Sequence, residues 1–458
     1  MKVIVAGAGQ VGFNIARYLA LAGNDVTIID QRGDLVAKIA ENLDIQALTG
    51  HASYPGTLEI AGARDADMLI AVTLVDEINM VACQVAHTFF NVPTKIARIR
   101  QKPYLEGRWT DLFRRDHLPI DHVISPEREV AHAAALRLEV PGASNVVPFA
   151  DNLVRLIALR CTENSPVIKT PLRQLTYLFP DLHVVVVGIL RNDRFFIPDG
   201  DDEILPDDEV HLIIDSAHLA RAMPAFGLIG GSLNHIVIAG GGNIGLCLAE
   251  ELEAAYPGIN LKLLEARPER ADMLADLLAN TLVLMGDARE REILEEANIA
   301  SANAMVAVTN DDEVNIMGAL LAKQMGCERV LALVNNSNYN QLLTSVGVDS
   351  AINPRETTVS SVLRHVRRGR IKAVHSLRDG EAEVMEVEAL ETSAFVGRPL
   401  RSIGSAGGMI VGAVVRDGKV LTPRSDTIVR AHDRVVLVAQ NRAVKRVEQL
   451  FSVSVDYF

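Results

Sequence analysis

Two stretches of this chain, one starting at Lys2 and one at Ile236, run through the same succession of residues, so the fold must accommodate that succession twice. Lys2-Val3-Ile4-Val5-Ala6 leads into Gly7-Ala8-Gly9-Gln10-Val11-Gly12, and Ile236-Val237-Ile238-Ala239 leads into Gly240-Gly241-Gly242-Asn243-Ile244-Gly245. Val26-Thr27-Ile28-Ile29 ends on Asp30, and Leu261-Lys262-Leu263-Leu264 ends on Glu265. Further on, Gly50-His51-Ala52 returns as Gly286-Asp287-Ala288, and Ala71-Val72-Thr73 as Ala307-Val308-Thr309. Asp76-Glu77-Ile78-Asn79 returns as Asp312-Glu313-Val314-Asn315. Gly286 follows Gly50 by the same interval as Asn315 follows Asn79, a register that chance does not hold. The chain is an internal duplication.

Within each copy, continuous apolar runs alternate with helical patterns. Such runs suit strands in the middle of a parallel sheet, and the alternation implies a doubly wound α/β domain. A smaller segment of a different kind follows each copy, the first past Pro141-Gly142 and the second from about His375. Both contain short β-type runs, a Pro-Leu pair (Pro171-Leu172, Pro399-Leu400) and an acidic turn before a strand (Asp207-Asp208-Glu209, Asp433). The expected architecture is therefore two doubly wound parallel-sheet, Rossmann-like domains, each followed by a small α+β domain. The expected boundaries are 1–140, 141–228, 232–370 and 371–458, with Gly230-Gly231-Ser232 as the central linker.

Composition narrows the function. The chain has 458 residues, 49 % of them hydrophobic, enough for several cores, but only 4 % aromatic with Trp109 the single tryptophan. A formal net charge of -13 argues against a nucleic-acid footprint and against direct binding to anionic lipid. Cys83, Cys161, Cys247 and Cys327 are dispersed without a CxxC pair and read as reduced, structural thiols of a cytosolic protein. Met1-Lys2 leads straight into a strand, so no signal peptide is expected. No apolar run approaches the roughly 20 residues of a membrane span. A soluble protein is the expectation.

The glycine triplets gain meaning from their context. Each follows a first strand, opens a helix, and is followed by an acid at the end of the second strand. The first glycine permits a tight turn, the second lets backbone approach a pyrophosphate, and the third allows close helix–strand packing. Phosphate then sits on the free N–H groups of the helix N-terminus. Asp30 and Glu265 are expected to accept hydrogen bonds from adenosine ribose hydroxyls, and a carboxylate there repels a 2′-phosphate, favouring NAD(H) over NADP(H). Thr73 and Thr309, with Leu74 and Asn310 beside them, are placed at the carboxyl edge where doubly wound sheets bind ligands. His51 and Asp287, just past the third strands, are candidates for contact with adenine. Asp76 and Asp312 read as helix N-caps rather than ligand contacts.

Arg98 and Arg100 add charge to the first copy only. Read as one strand, Lys95 to Arg100 puts both on one face, where the crevice would hold pyrophosphate. Aligned with Arg329 to Val334, it sets Ala332 and Val334 opposite them, so the first site is expected to hold phosphate more strongly. A salt bridge from Arg98 to a neighbouring acid is the plainer alternative. Asn335, Asn336 and Asn338 fall near where the first copy has Arg100 and Lys102. The stretch from Leu105 to Pro119 has no evident counterpart in the second copy, and Arg364 to Arg370 is the one locally basic segment.

An NAD-dependent oxidoreductase is the main alternative. It would need a convergent acid–base group beside the nicotinamide, yet none of the twelve histidines recurs at equivalent positions of the two copies. No HExxH, GxSxG or P-loop motif is present. A scaffold with vestigial sites is disfavoured by the acids retained at Asp30 and Glu265.

Taken together, the paired glycine motifs, the Ala-Val-Thr…Asp-Glu-x-Asn signature in both halves, Ile96-Ala97-Arg98-Ile99-Arg100 and Val374-His375-Ser376-Leu377 resemble the TrkA family of Trk potassium-uptake regulatory subunits. The resemblance covers essentially the whole chain. It implies RCK-type nucleotide-binding domains (RCK N) with companion C-terminal domains (RCK C), and a regulator rather than an enzyme. It further implies a homo-oligomeric, tetrameric ring, cytoplasmic and peripheral at the inner face of the plasma membrane through its protein partner, a Trk-type potassium channel or transporter subunit. NAD(H) and ATP or ADP would bias that ring between states.

Overall fold

The computed structural model describes residues 1–21, 23–105, 107–178, 183–228, 233–336, 339, 343, 346–366, 371–403 and 408–451. The Gly230-Gly231-Ser232 linker, Asn338 and residues 367–370 of the basic segment lie outside the described residues. The chain divides into two compact units, the first comprising residues 1–129 and 354–366, the second residues 130–353 and 367–458.

In the first unit, β1 (Lys2–Ala6), β2 (Asp25–Asp30), β3 (Gln46–Thr49), β4 (Met68–Ala71), β5 (Thr94–Arg98) and β6 (His122–Ile124) form a parallel sheet in the order β3-β2-β1-β4-β5-β6. All four residues of β4 are buried, as the continuous apolar run requires of a central strand. Strand order reverses between β1 and β4, which run parallel, and that switch point opens a crevice at the carboxyl ends of the strands.

The second unit holds three sheets. The strands β12 (His235–Ala239), β13 (Asn260–Glu265), β14 (Thr281–Met285), β15 (Ala304–Ala307), β16 (Val330–Leu333) and β17 (Ser350–Ile352) repeat the parallel order as β14-β13-β12-β15-β16-β17. The first small domain is an antiparallel sheet of β7 (Ala143–Phe149), β8 (Val154–Arg160), β9 (Val184–Arg191), β10 (Arg194–Phe196) and β11 (Glu209–Asp215), ordered β10-β9-β11-β8-β7. The second, from β18 (Ile371–Leu377), β19 (Ala382–Glu388), β20 (Met409–Arg416), β21 (Lys419–Leu421) and β22 (Arg434–Gln440), has the equivalent order β18-β19-β22-β20-β21. Their inner faces share one core through Leu156, Val187, Ile213, Val384, Val415 and Val436. The acidic turn is explained by a paired clamp. Asp208 accepts from Arg191 Nε at 2.8 Å and Nη2 at 2.7 Å, and Asp433 accepts from Arg416 at 2.9 and 2.7 Å.

The helices after β6 and β17 depart from the contiguous boundaries 1–140 and 232–370. The helix Pro126–Glu139 carries apolar residues at 130, 131, 134, 135 and 138, a stripe with helical period. That stripe packs with Ile236, Ile238, Leu252 and Ile352 of the second unit. The helix Pro354–Val366 buries Val359 and Val362 with Val3, Val5, Ile15 and Leu19 of the first unit. Val130 and Leu138 are fully buried, and each such side chain contributes about 1.5–3 kcal/mol. Spacing within one helix does not reveal which sheet receives its stripe.

Burial also fits the cysteine reading. It pushes the Cys83 and Cys161 thiols up to about 12 and Cys327 to about 11. No helix among the described residues is long and apolar enough to cross a membrane.

Candidate functional site

Past β1 the backbone turns at Gly7, which adopts φ +112° and donates its N–H to Ile29 O at 2.8 Å. A Cβ at Gly12 would lie 1.8 Å from Gly7 O, so only glycine lets the helix Gln10–Leu21 settle on the turn. A Cβ at Gly9 would meet no atom within 4 Å, which leaves the outer face of the loop open to a ligand. The second copy reproduces all three positions. Gly240 has φ +108°, a Cβ at Gly245 would lie 1.9 Å from Gly240 O, and Gly242 faces open space.

The acid at the end of the second strand closes onto this loop. Asp30 accepts Ala8 N–H at 2.6 Å on one oxygen and Arg32 N–H at 2.9 Å on the other. Each oxygen keeps a lone pair for a ribose hydroxyl. The Arg32 guanidinium turns away to Asp34, 2.6 Å distant. Glu265 makes the same closure with Gly241 N–H at 3.0 Å and Arg267 N–H at 3.0 Å, but the Arg267 Nε also approaches it at 3.1 Å. Glu265 is buried, whereas Asp30 is half-buried.

At the carboxyl edge of β4 the decisive residue is one that sequence reasoning passed over. Asn79 is fully buried, and its Oδ1 accepts from Thr73 N–H at 2.9 Å and Thr73 Oγ1 at 2.7 Å. Its Nδ2 donates to Arg98 O at 2.9 Å, joining the ends of β4 and β5. Asn315 does the same for Thr309 and Leu333 O. The recurrent Asp-Glu-x-Asn was the available signal, because a buried asparagine needs partners. Leu74 and Asn310 are exposed beside these threonines.

The N-cap reading of Asp76 and Asp312 is corrected. Both lie in the first turn of their helices, and Asp311 is the residue that caps the second one, through Glu313 N–H and Val314 N–H. Asp76 instead accepts the N–H groups of Arg100 and Gln101, each at 2.8 Å. Asp312 accepts those of Asn335 and Asn336, each at 2.9 Å. The register of the arginines is corrected too. Ala71 pairs with Ala97 and Ala307 with Ala332, so Leu333 and Asn335, not Ala332 and Val334, stand opposite Arg98 and Arg100. The substitution remains neutral for charged. Arg100 lies just past the end of β5, where Asp76 fixes its backbone.

The plainer alternative for these arginines holds in this structure. Glu127, in the first turn of the helix Pro126–Glu139, accepts from Arg100 Nε at 2.7 Å and lies 3.9 Å from Arg98. Two cations share one carboxylate, and burial pushes the Arg98 guanidinium below its ordinary value. Arg98 Nε and the second oxygen of Glu127 are buried without a hydrogen-bond partner. Asp76 is a second acid near Arg98, so the two guanidinium groups face two carboxylates, and the cluster is left with unsatisfied donors and acceptors.

His51 follows Gly50, whose N–H bonds Asp30 O at 2.8 Å, and its ring contacts Ser53 Oγ at 2.8 Å and stacks on Tyr54. Asp287 occupies the equivalent place and pairs with Arg289 at 2.6 Å, which holds its carboxyl below the usual range. His122 stacks on His365, and His132 bonds Glu251, so neither stands as a free acid–base group.

Comparison with known proteins agrees with this architecture. The TrkA-N domain model matches residues 3–126 and 236–354, and the TrkA-C domain model matches residues 156–227 and 384–452. The chain is 50 % identical to the Trk system potassium uptake protein TrkA of Azorhizobium caulinodans over 458 residues, 100 % of each chain. It is 42 % identical to the protein of that name from Halomonas elongata, again over 100 % of each. These relatives bear the name of a potassium-uptake system, not of an oxidoreductase. Among solved structures, the GsuK RCK domain aligns with a TM-score of 0.60 at 17 % identity, over 98 % of this chain and 94 % of that one. The GsuK channel bound to NAD aligns with a TM-score of 0.61 at 16 % identity, over 98 % and 78 %.

Proposed function

Since the chain belongs to the TrkA family of Trk potassium-uptake proteins, we propose that its two glycine-rich crevices bind adenine nucleotides and that their occupancy gates a Trk-type potassium-translocating membrane subunit. The closure of each loop onto the acid of its second strand, Ala8 on Asp30 and Gly241 on Glu265, is the observation that carries this reading. It leaves Gly9 and Gly242 facing open space where a pyrophosphate would lie. The ligand set is NAD(H) together with ATP and ADP. GsuK, a channel of like fold described with NAD bound, is consistent with the first of these.

ATP and ADP differ in how far their phosphates extend, and Arg98 and Arg100 are the cations placed to register that difference. A nucleotide shifts a conformational equilibrium only by its differential affinity for the two states. In the first crevice that difference would arise when phosphate replaces Glu127 on the arginines and frees the first turn of the helix Pro126–Glu139. The protein would act as a homo-oligomeric ring, tetrameric and cytoplasmic, held at the inner face of the plasma membrane by its partner. Potassium or rubidium flux through proteoliposomes holding a Trk-type membrane subunit tests this. Flux should respond to NADH, ATP or ADP only when this chain is added, and a flux indifferent to nucleotide would overturn the reading.

A further inference from the structure

The two crevices carry their positive charge at opposite ends. In the first, the cations Arg98 and Arg100 stand at the carboxyl edge of β5, while at the end of β2 Arg32, the counterpart of Arg267, is engaged by Asp34 at 2.6 Å. In the second, Leu333 and Asn335 replace those arginines, and two other arginines gather at the end of β13. Arg267 places Nε 3.1 Å from Glu265 Oε1, and Arg270 donates Nε–H to Gly241 O at 2.7 Å. The Nη2 of Arg270 is buried without a partner. Leu35 occupies the place of Arg270 in the first copy, a correspondence fixed by equivalent bonds from Val36 N–H to Arg32 O and from Ala271 N–H to Arg267 O. Leu35 packs against the core there and offers no donor.

The acids differ in the same sense. Asp30 receives one backbone N–H per oxygen, and Arg32 gives its guanidinium hydrogen bonds to Asp34 instead, so the Asp30 charge is less compensated toward a ligand. Glu265 is buried, with three donors on its carboxylate, one of them a guanidinium. A carboxylate excludes a 2′-phosphate through uncompensated charge, and at Glu265 that charge is neutralised at close range.

We infer that the second crevice accepts adenine nucleotides bearing a phosphate on the adenosine ribose, NADPH-type ligands, with Arg267 and Arg270 as the specificity-determining residues, while the first crevice rejects them. This rests on the reading that the second crevice binds an adenine nucleotide at all. It reverses, for Glu265 alone, the preference for NAD(H) over NADP(H) expected of such an acid.

The test uses the full chain with the first crevice blocked by Gly9→Val, titrated with NADH and NADPH by fluorescence. NADPH should bind at least as tightly as NADH. Arg270→Leu, which installs the first copy's residue, and Arg267→Gln should each weaken NADPH by about 10- to 100-fold, the range of one charged hydrogen bond, with NADH changed by less than about threefold. Protein that binds NADH but not NADPH, or arginine variants that leave NADPH binding unaltered or weaken both ligands equally, would overturn the inference and leave the second nucleotide site standing. If neither dinucleotide binds, the second crevice is not a nucleotide site and the inference falls with that reading.

Discussion

Arg100 donates Nε–H to Glu127 at 2.7 Å, so a side chain of the crossover helix occupies a cation placed for a nucleotide phosphate. Arg98 lies 3.9 Å from the same carboxylate oxygen. The pair binds the first turn of that helix to the end of β5, and a phosphate that takes the arginines must compete with Glu127.

Glu127→Gln keeps the shape of the side chain and removes its charge. It should tighten ATP at the first crevice by about 10-fold, the lower end of what a charged hydrogen bond contributes. The same variant should unfold at a lower temperature, since two guanidinium groups lose one of their counterions. Arg98→Ala should act in the opposite sense, weakening ATP there by about 10- to 100-fold. The second crevice, with Leu333 and Asn335 at these places, should be unaffected. Calorimetric titration of both variants would measure these shifts, and unaltered ATP binding in both would disprove the competition.

Asp30→Ala tests the ribose end of the first crevice. Losing this acceptor should weaken NADH by about 10-fold and admit NADPH, because the clash with a 2′-phosphate disappears. Parallel titrations with the two dinucleotides would settle it. An unchanged ratio of affinities would show that Asp30 only ties down Ala8.

The parallel sheets of both large domains and the presence of a small β-containing domain after each followed from apolar runs, glycine turns and the internal repeat, whereas the antiparallel pairing of the small sheets did not. Asp30 and Glu265 were legible because their distance from the glycine motif is set by one β-α-β unit. The clamping role of Asp76 was not, since an aspartate opening a helix looks like a cap, and only the path of residues 100 and 101 reveals the other use. The one-residue slip that set Ala332 against Arg98 arose because a short apolar strand carries no internal mark of register, which backbone pairing alone fixes. Destination of the crossover helices was hidden for a like reason. Val130 and Leu138 declare a buried face without saying which sheet buries it.

Acid should destabilise the fold through two imidazoles, His235 buried and His122 half-buried. Burial holds His122 and His235 below their ordinary value of 6.5. In each the folded value lies beneath the unfolded one, so folding favours the neutral ring. The associated stability is complete above the unfolded value and is lost as pH falls through the folded one. Unfolding temperature measured from pH 7.5 to 5 should therefore fall more steeply in wild type than in His122→Gln. Parallel curves would exclude a contribution from His122.

The most direct measurement counts nucleotide sites after filling the two loops. Side chains at Gly9 and Gly242 would project into open space, so valine at either should fill the phosphate cradle without disturbing the fold. NADH titration should find two sites in wild type, one in Gly9→Val, one in Gly242→Val and none in the double variant. Unfolding temperatures should agree within about 2 °C, as for surface substitutions. A folded double variant that still binds NADH like wild type would contradict the placement of nucleotide in these crevices.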